Sequence, residues 1–320
     1  MKTILEIPPL AYYRLRFHFK AQDDLQLPAF KGSPWRGFFG HALKKTACPF
    51  RQAACQTCLL KNQCLYLNLF ETPVSTTIAP ISSATTHFPH PFILTPPLDQ
   101  RGLIPQGDTF TTELTLLAPG FSMLPYLIIT FQVMGQHGIG SSAAQFELLL
   151  AQVHHQAQWQ TLFDSTQGEL LALPPPAHSQ ALAEPASSQQ LTLQLLTPLH
   201  LKINQQLSNE LPFQHLIQGL SRRIRHLAQL YSQTTQEINT LPLIEAAAAI
   251  RVKHQALHWY EVPRFSQRQQ RQMRFVGLLG SVTYQGDLDP FIPWLNLGEA
   301  LHLGSLTSFG FGKYQLRWEP

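Results

Sequence analysis

Charge is scarce in this 320-residue chain: Asp, Glu, Lys and Arg together make up 13% of it. With 44% hydrophobic residues beside that low charge, it is no disordered polyelectrolyte, and it can fill two modest cores. Long apolar runs are missing too. No stretch approaches the roughly 18 consecutive apolar residues of a membrane span, and Met1-Lys2-Thr3 leads into a short mixed segment unlike a secretory leader. A cytoplasmic protein without a membrane partner is the expectation. Cysteine occurs four times, always between residues 48 and 64, which excludes a disulfide framework spread over the fold. Clusters of His and Asp with an open metal position are absent as well, which speaks against a zinc-dependent hydrolase.

What is present alternates and then restarts. Lys and Arg exceed Asp and Glu by 23 to 19, a net charge of +4, and this permits a polyanionic partner. From Tyr12 to Lys20 the residues alternate with period two, Tyr13, Leu15, Phe17 and Phe19 on one side and Arg14, Arg16, His18 and Lys20 on the other. This is a strand with a basic face, either open to a ligand or simply solvated. Ser33 and Pro34 read as the N-cap and first residue of a helix. Its apolar stripe is Trp35, Phe38, Phe39, Ala42 and Leu43, and His41, Lys44 and Lys45 lie off that stripe.

The cysteines follow as Cys48, Cys55, Cys58 and Cys64. The middle pair is close enough in sequence to grip one tetrahedral ion while the outer pair closes the loop, so a structural four-cysteine zinc knuckle inserted over 48–64 is expected. An iron–sulfur cluster takes the same four thiolates, and unligated structural cysteines are the third reading. Four protein ligands leave no open position, so such a metal would take no part in catalysis.

Residues 72–107 are rich in Pro, Ser and Thr and read as an extended connection over the surface. Phe110 to Leu116 alternate as a strand, Met123 to Met134 read as a helix stopped by Gly135, and Phe146 to Val153 as another strand. A glycine turn, Gly138-Ile139-Gly140, lies between the last two. Leu173-Pro174-Pro175-Pro176 through Pro185 has linker composition. Beyond it Leu191, Leu193 and Leu195 alternate, and Phe213, Leu216, Ile217, Leu220, Ile224, Leu227 and Tyr231 form a helical stripe whose opposite face carries Arg222, Arg223, Arg225 and His226. The expectation is therefore an α+β chain of two tandem ferredoxin-like (RRM-like) domains, 1–173 with the cysteine insertion and 189–320, joined by a linker at 174–188.

The densest cationic stretch is Trp259 to Arg274, with Arg264, Arg268, Arg271 and Arg274 and no acid after Glu261. It is either a solvated charge run or a contact for phosphate, which arginine binds bidentately. It leads into an apolar strand with Gly277 and Gly280, the turn Tyr284-Gln285-Gly286-Asp287-Leu288, the helix end Leu301-His302-Leu303-Gly304, and Phe309-Gly310-Phe311-Gly312-Lys313-Tyr314. Glycines beside a cationic strand let backbone N–H groups approach phosphates closely.

That block resembles the C-terminal signature of the CRISPR repeat-processing endoribonucleases of the RAMP superfamily. Trp35-Arg36-Gly37-Phe38-Phe39-Gly40 and Thr197-Pro198-Leu199-His200-Leu201-Lys202 extend the resemblance upstream. One departure is the turn at 138–140: the family often carries an arginine just after it, and Ser141 to Gln145 holds no basic residue.

The resemblance implies a metal-independent endoribonuclease that cuts CRISPR precursor RNA within its repeats by 2′-OH attack, leaving a 2′,3′-cyclic phosphate. It also implies retention of the crRNA and association with other CRISPR effector subunits. The competing reading is a non-catalytic crRNA-binding subunit of an effector complex. Such chemistry needs a base, an acid and a cation for the phosphorane. His41 is the candidate acid or base, Lys44 or Lys45 the cation, and Tyr12 or Tyr13 the group that orients the nucleophile; His302 and His18 are the next histidines. RNA contact is expected from Arg14, Arg16, Lys20, Arg36, Arg222, Arg223, the four arginines of 264–274, Gly310, Gly312 and Lys313.

Overall fold

The computed structural model describes residues 6–50, 54–72, 88–118, 120–181, 189–203, 206–232, 238–266 and 271–319. They form two α+β units, one spanning Ala11–Ala177, the other running from His178 onward and including residues 6–10. The division falls inside the expected 174–188 connection. Residues 6–10 join the second unit through Ser179: its hydroxyl donates to the Pro8 carbonyl at 2.7 Å and accepts from the Leu10 amide at 2.9 Å.

The first unit runs β1 (Ala11–Ala21), α1 (Gly32–Ala47), β2 (Phe92–Thr95), β3 (Thr109–Leu117), α2 (Leu124–His137), β4 (Phe146–His155) and β5 (Gln158–Asp164). The sheet order is β2-β3-β1-β4-β5, with every neighbour antiparallel. Without β5 this is the ferredoxin-like βαββαβ unit. The alternation along β1 decides which face is covered: Leu15, Phe17 and Phe19 are buried while Arg14, Arg16 and His18 are half-exposed. Onto the buried face fold the rings of Trp35 and Phe39 from α1 and Phe131 from α2, with Phe19 within 5.8 Å of Trp35 and 5.6 Å of Phe131.

Three local expectations change. Gly32 already belongs to α1, and Lys31 occupies the cap. The Lys31 side chain is buried, its ammonium donating to the carbonyls of Asp99 and Arg101. Part of 72–107 is not a surface connection: Phe92–Thr95 is the buried strand β2, and residues 73–87 lie outside the described residues. Gly135 does not stop α2, which continues to His137 and ends at Gly138 with φ +71°. Gly135 is needed because α2 crosses β4 so closely that a Cβ there would stand 2.0 Å from the Phe146 carbonyl oxygen.

The second unit repeats the plan with β6 (Gln190–Leu199), α3 (Phe213–Tyr231), α4 (Leu241–Ala246), β7 (Arg251–Ser266), β8 (Arg271–Gln285), α5 (Ile292–Leu301) and β9 (Tyr314–Glu319). Its sheet order β7-β8-β6-β9 is again antiparallel throughout. The stripe of α3 is buried from Phe213 to Leu227. At about 1.5–3 kcal/mol for each large apolar side chain removed from water, that seam outweighs any propensity term. α5 lies close over β9: Tyr314 Oη donates to the Leu295 carbonyl at 2.6 Å, and a Cβ on Gly298 would stand 2.0 Å from that hydroxyl.

Candidate active site

The site follows from how α1 is pinned. Trp35, Phe39, Ala42 and Leu43 are buried against the sheet, so the intervening positions of the last two turns point away from it, with His41 and Lys45 exposed and Lys44 half-exposed. α2 packs alongside α1, with Phe39 and Phe131 stacked at 5.3 Å, and this brings the end of α2 beside the end of α1. A cavity of about 420 Å³ opens there. Phe38, Ala42 and Met134 form its apolar side, and His41, Lys44, Lys45 and His137 its polar side. No carboxylate lines it among the described residues. Two helix C-termini with basic groups in their last turns are electrostatically favourable.

The structure thus gathers three sequence candidates, His41, Lys44 and Lys45, and adds His137. The Lys45 ammonium contacts His137 Nε2, while His137 Nδ1 donates to the Val133 carbonyl at 2.7 Å. Lys44 turns the other way, its ammonium 5.7 Å from the centre of the Tyr66 ring. Burial and then the adjacent Glu71 carboxylate push the Tyr66 phenol above its ordinary range, so that ring stays neutral. Tyr13 lies outside the group: its hydroxyl donates to the Pro174 carbonyl at 2.8 Å and its ring meets Phe121 edge-on at 4.6 Å. Tyr12 is buried on β1.

Two other histidines are committed elsewhere. His302 is buried and its Nδ1 donates to the Phe311 carbonyl at 3.0 Å. His18 Nε2 pairs with Gln152 Oε1 at 2.8 Å. His137 was missed because ending the helix at Gly135 placed it in a loop; a basic residue in the last turn of a longer helix was the available signal.

The expected RNA contacts are scattered. On the outer face of β1, Arg16 donates twice to Glu113, at 2.9 and 2.6 Å, and stacks at 4.0 Å on Trp159; Arg14 stands 3.7 Å from the same carboxylate. That face is therefore partly neutralised by an acid from β3, and Lys20 is its exposed cation. Arg36 lies 4.2 Å over the Phe70 ring with one nitrogen 3.3 Å from His90. Arg222 is exposed and shares a smaller cavity of about 230 Å³ with Lys202 and His215.

Arg223, by contrast, is turned inward. It donates to the carbonyls of Leu301 and His302 at 2.8 and 3.0 Å and to Thr307 Oγ1 at 2.9 Å, and burial pulls its pKa down to about 10. Lys313 is likewise buried, its ammonium donating to the Glu299 carbonyl at 2.8 Å. Gly310 and Gly312 adopt φ +82° and +74°. A Cβ on Gly312 would collide with the Leu303 carbonyl oxygen at 1.8 Å, so a close approach within the chain already requires that glycine.

The arginine stretch belongs to a long hairpin. β7 and β8 pair over their whole length, from Arg251 opposite Gln285 to Ser266 opposite Arg271. Arg264 and Arg271 lie near its tip, and Arg268 lies outside the described residues. Arg274 is exposed, 3.4 Å from Glu261.

The structure does not support the four-cysteine knuckle expected at Cys48, Cys55, Cys58 and Cys64. All four are half-buried free thiols, and among the described residues no group of His, Cys, Asp or Glu side chains is placed to hold a metal ion. Cys48 caps the end of α1, its amide donating to the Lys44 carbonyl, and the Cys64 carbonyl accepts from the Asn68 amide. Neither zinc nor an iron–sulfur cluster is assigned. No described helix is long and apolar enough to cross a membrane.

Comparison with known proteins places this geometry. The family described as CRISPR-associated endoribonuclease Cas6 matches residues 193–314, and the family AF_1859_N, an N-terminal domain, matches residues 9–175. An uncharacterized protein of Archaeoglobus fulgidus is 23% identical over 134 residues, which cover 42% of this chain and 43% of that relative. Among solved structures, Thermus thermophilus Cas6 superposes with a TM-score of 0.56 at 14% identity, over 96% of this chain and 99% of that one. A chain of a partial Cas6-RT-Cas1–Cas2 complex superposes with a TM-score of 0.60 at 13% identity, over 99% of this chain and 47% of the other. Both likenesses are of fold: two ferredoxin-like units in tandem. On these matches residues 9–175 are a domain of the AF_1859_N family and residues 193–314 a domain of the CRISPR-associated endoribonuclease Cas6 family, joined in one chain with the fold of solved Cas6 structures.

Proposed function

We propose that this protein is an endoribonuclease that processes CRISPR precursor RNA by cutting within the repeats. The observation that carries this is the cavity between α1 and α2, lined by His41, Lys44, Lys45 and His137 and by no carboxylate among the described residues, with the Lys45 ammonium beside His137. Such a site suits a phosphodiester: the cations attract it and no acid repels it.

The reaction is internal transesterification and calls for no metal. The 2′-OH loses its proton to a base, attacks phosphorus, and the departing 5′ oxygen takes a proton from an acid, leaving a 2′,3′-cyclic phosphate and a 5′-OH. His41 transfers one of these protons, because imidazole exchanges protons near neutral pH. Lys45 offsets the charge that develops on the non-bridging oxygens. Arg264, Arg271 and Arg274 of the β7–β8 hairpin, together with Arg268, Arg222 and Lys20, hold the RNA. Tyr13 serves this reading by tying β1 to Pro174. The partners are the repeat RNA and the crRNA it yields, and other CRISPR proteins are a second class of partner, as in the Cas6-RT-Cas1–Cas2 assembly.

The test is single-turnover cleavage of repeat RNA by His41→Ala. A loss of about 100-fold or more with unchanged RNA affinity is expected for removal of a proton-transfer group. Cleavage at the parental rate would take His41 out of the mechanism, and an inert parental protein would leave a crRNA-binding subunit as the function.

A further inference from the structure

We propose that His137 is the second imidazole of the site and the general base for the 2′-OH, with His41 as the acid. This assignment rests on the endoribonuclease reading above and deepens it.

The tautomer comes from geometry. His137 Nδ1 lies 2.7 Å from the Val133 carbonyl oxygen, which can only accept, so Nδ1 carries the proton. In the neutral ring Nε2 then bears the lone pair, and it is Nε2 that meets the Lys45 ammonium, a group that can only donate. A fixed second partner of this kind is how a protein holds one tautomer of a catalytic imidazole and one ring orientation. His137 stands at the exposed end of α2 and lines the same cavity as His41, so both residues border the space a phosphodiester would fill. The other titratable groups there are Lys44 and Lys45, both from α1.

In the resting protein Lys45 occupies the lone pair of His137. An arriving phosphate is the stronger acceptor for an ammonium, since both partners are charged. Lys45 moves to a non-bridging oxygen, and Nε2 is released for the neighbouring 2′-OH. The 2′-OH proton goes to Nε2, the O2′ electron pair forms the new bond to phosphorus, the bond from phosphorus to O5′ breaks, and O5′ takes the proton of the His41 imidazolium. The site ends with His137 protonated and His41 neutral, and exchange with water restores both.

The experiment measures single-turnover cleavage of repeat RNA between pH 5 and 9 by the parental protein, His137→Ala and His137→Gln, with RNA affinity and melting temperature measured alongside. Both variants are expected to bind RNA normally and to cleave about 100-fold or more slowly. The rate should lose its rise on the acid side of the pH profile, and added imidazole should restore part of the activity of His137→Ala. Cleavage at the parental rate, or a slowed rate that keeps the parental pH profile and ignores imidazole, overturns the proposal while leaving the nuclease reading intact. Nitrogen-15 spectra of the RNA-free protein provide a readout that needs no cleavage. A bare Nε2 whose resonance moves on Lys45→Met is the expected result. A proton on Nε2 refutes the assignment even if the parental protein proves inert, an outcome that would also end the nuclease reading.

Discussion

Replacing Arg223 with Met separates a structural arginine from an RNA-binding one. The guanidinium reaches from α3 to the end of α5, where it satisfies the carbonyls of Leu301 and His302 and the hydroxyl of Thr307 at 2.8–3.0 Å. Methionine keeps most of the length of the stem and removes every donor. A buried acceptor stripped of its partner costs about 1–3 kcal/mol, so the two carbonyls together cost about 2–6 kcal/mol. Part is returned, because the charged group no longer has to be desolvated; burial alone draws its pKa down to about 10. A net loss near 3 kcal/mol corresponds to a melting temperature lower by about 6–12 °C for a unit of roughly 150 residues. Scanning calorimetry gives the shift, and RNA titration at several salt concentrations gives the charge contribution. Arg223→Met should leave the salt slope unchanged, whereas Arg222→Gln should lower it by about 0.7, the single-strand value for one phosphate contact. An Arg223→Met protein that melts normally yet binds RNA with a reduced salt slope would refute the clamp.

His226 supplies a pH dependence. Burial first, then the positive charges of Arg222, Arg225 and Arg223, hold its pKa down at about 4, against 6.5 for a free imidazole. Between these values the unfolded chain takes up a proton that the folded chain refuses, so stability is fully present above pH 6.5 and is lost as the pH falls toward 4. Denaturant midpoints measured from pH 7 to pH 4.5 should decline more steeply for the parental protein than for His226→Gln, and equal slopes would exclude His226 as the cause. Gly135→Ala places a methyl group against the Phe146 carbonyl, where a Cβ would lie at 2.0 Å, and should cost about 1–3 kcal/mol by forcing α2 off β4; an unchanged melting temperature would contradict the close approach. Arg274→Ala breaks an exposed pair with Glu261 and should change stability by less than about 1 kcal/mol while weakening RNA binding, as a filter-binding assay would record.

The architecture was legible where one face is buried and the other wet. Period-two alternation placed β1, and the stripe from Phe213 to Leu227 placed α3, because burial imposes those periods. β2 escaped notice because all four of its residues are buried, which erases alternation and leaves a short apolar run inside a proline-rich stretch. In the candidate site, His41, Lys44 and Lys45 could be found because they share one helix face, whereas His137 joins them only through the packing of α2 on α1. The roles of Arg223 and Lys313 were hidden for the same reason. Their partners are backbone carbonyls of α5 and the loop after it, nearly 80 residues away for Arg223, and a cation on a helix face gives no sign in sequence of turning inward. The cysteine spacing suggested a metal, yet among the described residues no group of His, Cys, Asp or Glu side chains is placed to hold one, because spacing in sequence does not fix how four thiols converge in space.

The most direct test of the account is the chemistry of the cut ends. Purified protein incubated with its repeat RNA in EDTA should yield a 5′ fragment ending in a 2′,3′-cyclic phosphate and a 3′ fragment beginning with a 5′-OH. Cleavage that stops in EDTA, or a product bearing a 5′-phosphate, would contradict a reaction run by imidazole and ammonium groups alone.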